Sequence, residues 1–110
     1  MEIEILVVPD CPNEKPAVER LRGALADAGL HDTTFSIRTI SDPDEAERIG
    51  FTGSPTILID GHDPFAEPGR PVGLTCRMYR TPDGLAGVPG RDQLRLALTA
   101  AGEGAARSAL

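Results

Sequence analysis

Gly50-Phe51-Thr52-Gly53-Ser54-Pro55-Thr56-Ile57-Leu58-Ile59-Asp60-Gly61 carries more architectural information than any other run of this chain. Gly50 and Gly53 allow positive φ where the backbone has to turn. Pro55 has no N–H to give to a ladder, so it belongs at the opening of a strand and not inside one. Thr56-Ile57-Leu58-Ile59 is a short β-branched run, and Asp60-Gly61 ends it. A proline that opens a core strand raises the question of a cis bond. The cis form occurs at only about 5–6% of X-Pro bonds, so the expectation needs support from elsewhere in the chain. Val8-Pro9-Asp10-Cys11-Pro12 supplies it.

Upstream, Ile3 to Val8 is apolar on both faces, with Ile3, Ile5 and Val7 on one and Leu6 and Val8 on the other. That predicts a central strand of an α/β sheet. A helix follows from Glu14 or Lys15 to Ala28, with Val18, Leu21, Leu25 and Ala28 at helical spacing and Gly29 as its stop. Its start is open. With Cys11 as N-cap, Pro16 falls in the second turn and costs a hydrogen bond. With Asn13 as N-cap, Pro16 fits the first turn and Cys11 moves just outside the helix. Thr33 to Ile40 alternates, with Phe35 and Ile37 on one face, and reads as a more exposed strand. Asp42-Pro43-Asp44-Glu45 opens a short helix, with Ala46 and Ile49 facing inward and Gly50 closing it.

Downstream, residues 62–75 form a Pro/Gly-rich insertion. Its Phe65, Val72 and Leu74 predict that it packs down as an ordered loop. Cys76 to Thr81 reads as a last strand with Met78 in the core and Tyr79 holding its hydroxyl at the rim. Thr81-Pro82-Asp83-Gly84 is a turn, and loop continues to Gly90. A final helix runs from Arg91 to Ala101 on Leu94, Ala97, Leu98 and Ala101. Residues 1–101 thus form one domain, and the small, polar tail 102–110 frays.

The chain has 110 residues, 40% of them hydrophobic, which fits one modest core. No apolar run reaches the roughly 18–20 residues of a membrane span. The start Met-Glu-Ile-Glu lacks a basic signal region, so a cytoplasmic location is expected. The net charge of −6, with one lysine and ten scattered arginines, argues against a nucleic-acid partner. Cys11, His31, His62 and Cys76 lack the paired spacing of a zinc site, and no metal or other cofactor is expected. His62 and Asp63 follow a turn and read as solvated residues.

The element order βαβαββα, with Cys11-Pro12 near a helix start and Gly53-Ser54-Pro55-Thr56 before a strand, resembles the thioredoxin-like family. The resemblance covers about residues 1–100 apart from the 62–75 insertion. It implies a four-stranded mixed sheet flanked by helices and a cis Pro55 facing a nucleophilic Cys11. It also implies a site completed by Pro12, Ser54 and Thr56, whose backbone pairs with an extended substrate. The chain departs from the family at Cys11-Pro12-Asn13-Glu14, where Glu14 replaces the second cysteine of Cys-x-x-Cys. A thiol near a helix N-terminus gains thiolate character, whereas Asp10 and Glu14 oppose it, so the sequence leaves the balance open.

Three functions follow. The first is thiol–disulfide exchange or mixed-disulfide formation at Cys11 with a small or protein partner, with Cys76 as a resolving thiol. Cys76 is expected to begin its strand at the sheet end away from Cys11. The second is a non-catalytic binding module on the same fold. The third is soft-metal or organomercurial chemistry by Cys11 and Cys76, because Gly73-Leu74-Thr75-Cys76 and Gly84-Leu85-Ala86-Gly87 loosely resemble parts of alkylmercury lyases.

Overall fold

The five residues Ile3–Val7 form β1, and every one except Glu4 is buried. In the computed structural model, which describes residues 1–108 and side-chain surroundings through Gly102, β1 is the middle of a three-stranded sheet. The elements are β1 (Ile3–Val7), α1 (Glu14–Asp27), β2 (Ser36–Thr39), α2 (Pro43–Ile49), β3 (Thr56–Ile59), β4 (Tyr79–Thr81), β5 (Gly84–Ala86) and α3 (Arg91–Ser108). The described residues form a mixed α/β domain with three helices and two small sheets.

β2 runs parallel to β1, with Ile5 opposite Ile37. β3 runs antiparallel on the other side, with Ile5 opposite Ile57. The two faces of β1 bury into two cores, as its unbroken apolar run requires. Ile3, Ile5 and Val7 pack with Leu21, Ala24 and Leu25 of α1 and Leu94 and Leu98 of α3. Leu6 packs with Ile40, Phe51 and Ala46 of α2.

Asn13 is the N-cap of α1, which places Pro16 in the first turn and leaves Cys11 outside the helix. Asp42 caps α2 by accepting from the Asp44 N–H at 3.0 Å, and Gly50 ends it at φ 70°. Ile49, expected inward, is 39% exposed, so α2 packs through Ala46. α3 continues beyond Ala101 to Ser108, and the last two residues of the expected tail lie outside the described residues.

The largest correction concerns the last strand. In place of a Cys76–Thr81 strand antiparallel to β3, Cys76 makes a single parallel bridge to Ser54. β4 starts only at Tyr79 and turns through Pro82-Asp83 into β5, a separate antiparallel hairpin. Residues 84–86, expected as loop, are its second strand. The phase of this segment is also one residue off the expectation. Met78 is exposed, while Arg77 and Tyr79 are buried. Because side chains alternate along an extended chain, one misplaced residue inverts the whole face. A buried arginine concealed the true phase. In the insertion, Phe65 packs against the core as expected, whereas Val72 and Leu74 remain exposed.

Candidate functional site

Cys11 lies in the turn between β1 and α1. Asp10 takes a left-handed φ of 57°, and the Glu14 N–H donates to the Cys11 C=O at 3.2 Å, closing the turn before the Asn13 cap. The Cys11 side chain joins the core cluster and is only 9% exposed. Pro12 beside it is exposed. The Asn13 side chain lies so close to Gly87 that a Cβ there would have to displace it, so the strand-to-α3 connection covers the start of α1.

The second half of the site is the loop before β3. The Ser54–Pro55 bond is cis, as the sequence led us to expect. Ser54 is fully buried, and its Oγ accepts from the Val8 N–H at 3.0 Å. That bond ties the loop to the last residue before the Cys11 turn. Thr56 is buried, donating to the Gly53 C=O at 2.6 Å and accepting from Arg77 at 3.3 Å. The hydroxyls of Ser54 and Thr56 are therefore engaged within the protein.

Cys76 sits beside this loop, and this overturns its expected place at the far end of the sheet. Ser54 donates its N–H to the Thr75 C=O at 2.8 Å and accepts from the Arg77 N–H at 3.0 Å. Cys76 lies between these two bonds, exposed, and both cysteines are free thiols. The reversal comes from the insertion, which returns the chain to the Ser54 end of β3 before the last hairpin.

Sequence reasoning missed the arginine that holds this return. The Arg77 side chain is fully buried. Its Nη1 donates to Asp63 Oδ2 at 2.6 Å, and its Nη2 donates to the Phe65 C=O at 2.7 Å. Its guanidinium lies 4.5 Å from the Tyr79 ring centre, a cation–π arrangement. Its Nε has no partner. Asp63, expected as solvated, is thus the partly buried partner of a fully buried guanidinium. The Tyr79 hydroxyl, expected at the rim, donates to the Pro55 C=O. Burial is the main reason that the Tyr79 phenol ionises well above its ordinary range; Arg77 nearby offsets this only in part. The available signal was an arginine two residues before the chain's one tyrosine, in phase with it along an extended segment, with an aspartate in the loop that precedes both.

A concavity of about 580 Å³ lies between α1 and β2 and is lined by residues such as Arg22, Leu25, His31, Phe35 and Ile37. It shares no lining residue with the Cys11 and Ser54 loops. Among the described residues, no group of three or more His, Cys, Asp or Glu side chains is placed to hold a metal ion. Among them, too, no helix is long and apolar enough to cross a membrane. Comparison with protein-family models, curated proteins and solved structures gives no match.

Proposed function

We infer that this chain is a thioredoxin-like thiol protein acting through Cys11. The observation that carries the reading is the Val8–Ser54 hydrogen bond, which joins the cysteine turn to the proline loop at one end of the sheet. The β1–α1–β2 unit with an antiparallel β3 supports the fold assignment. The β4–β5 hairpin is a sheet of its own and does not extend this one, so the support comes from the three-stranded part.

The reaction is thiol–disulfide exchange. The Cys11 thiolate attacks one sulfur of a disulfide, the old S–S bond breaks, and the leaving sulfur departs as a thiolate that takes up a proton. Cys11 is left in a mixed disulfide, and the released half is reduced. A second thiol then regenerates Cys11. Glu14 does not supply one, because it stands where the family has its resolving cysteine.

A two-thiol reading has an observation of its own: the Ser54–Cys76 bridge sets Cys76 beside the same loop. In that reading Cys76 attacks the mixed disulfide, or both sulfurs bind a soft metal or organomercurial. Incubation with glutathione disulfide followed by intact-mass analysis and peptide mapping tests the main reading. We expect the adduct on Cys11 and its loss in Cys11→Ser. An adduct confined to Cys76 would contradict it.

A further inference from the structure

At the proline loop the backbone edge is already occupied. Both polar groups of Ser54 are bonded to the Thr75–Arg77 segment, and the Pro55 C=O accepts from Tyr79. Farther along the same strand, Ile59 donates to the His62 C=O at 2.8 Å and accepts from its N–H at 3.0 Å. An extended peptide adds to a sheet by taking up free N–H and C=O groups along such an edge. Here the chain's own Thr75-Cys76-Arg77 takes them.

The segment is fastened and not merely adjacent. Arg77 is held by Asp63, Thr56 and the Phe65 C=O, and it faces the Tyr79 ring. Gly53 passes so near that a Cβ there would meet Arg77 Cβ at 2.8 Å. An incoming peptide could replace the two Ser54 bonds. It could not replace the pairing of a buried guanidinium, which would be left with its charge uncompensated.

We propose that the Thr75–Arg77 segment closes this edge to extended peptides, so that the disulfide which reacts with Cys11 belongs to a small molecule. The proposal rests on the reading of Cys11 as the reacting thiol. A small disulfide needs access to one sulfur and no strand edge. The exchange is the one written above, with the S–S bond of the small molecule broken and one Cys11–sulfur bond formed.

The test uses the full chain carrying Cys76→Ser, so that only Cys11 reacts. Two probes are compared, bis(2-hydroxyethyl) disulfide and an extended nonapeptide whose central cysteine carries the same hydroxyethyl disulfide. Mixed-disulfide formation is followed by intact mass, and each rate is divided by that of a cysteine tripeptide with the same probe. The small probe should be favoured by about tenfold or more. Tyr79→Phe and Asp63→Asn, which loosen the segment, should each raise the peptide rate relative to the small-probe rate by about threefold. Equal normalised rates for the two probes would overturn the proposal. Discrimination that survives in both folded variants would overturn the assignment of the block to this segment. Failure of both probes to outpace the tripeptide would remove the reading of Cys11 itself, whereas a reactive Cys11 without discrimination would remove only the closed edge.

Discussion

Arg77 and Tyr79 show how single residues set this site. Both turn inward from a segment whose neighbour Met78 turns out, and together they hold the proline loop. Tyr79 also gives a pH signature. The unfolded chain ionises its phenol near pH 10, as free tyrosine does. Burial keeps the folded phenol protonated to higher pH. The folded state therefore binds more protons than the unfolded state above about pH 10, so stability is complete below that point and falls as pH rises toward the raised native value. The chain has one tyrosine and no tryptophan, so phenolate absorbance reports Tyr79 alone. We expect no native titration near pH 10, and ionisation that coincides with unfolding at higher pH. Tyr79→Phe should remove this part of the alkaline slope. A reversible native titration near pH 10 would contradict the buried placement.

The elements divide sharply in how far the sequence revealed them. β1, α1, α2 and β3 were legible because each carries a local rule: an apolar run, a helical stripe, a capped start, a proline at a strand opening. Asp42 and Gly50 perform the roles their residue types imply. The segment from 62 to 86 was not legible, because its order comes from long-range polar contacts and not from periodicity. Asp63 reaches Arg77 across the insertion, and no local pattern encodes that pair. The same pair predicts the stability of this element. Removing one partner of a buried ion pair strands the other and costs about 3–5 kcal/mol. Asp63→Ala should therefore lower unfolding stability by about 3 kcal/mol in urea titration. Arg77→Met in the Asp63→Ala background should recover part of the loss, because it removes the stranded charge. A loss below about 0.5 kcal/mol would mean that the pair behaves as a surface bridge and does not fasten the insertion.

At the scale of the whole molecule, three strands and two helical layers bring distant loops to one end of the sheet. The Cys11 turn comes from residues after β1, the proline loop from residues before β3, and Cys76 from the end of the insertion. The sequence pointed to Cys11 and Pro55 through their local motifs. It misplaced Cys76, because the return path of a long loop depends on the buried arginine that anchors it. The molecule thus holds one thiol that is nearly buried, in the turn after β1, and one that is exposed, bridged to Ser54. Accessibility alone would make Cys76 the faster of the two. Our account assigns the chemistry to Cys11, so the two rankings oppose each other. Competitive alkylation of the native chain with isotope-coded iodoacetamide, followed by peptide mapping, reads both rates in one sample. The account predicts that Cys11 is alkylated faster than Cys76 despite its burial. Alkylation of Cys76 first, with Cys11 protected until the chain unfolds, would contradict it.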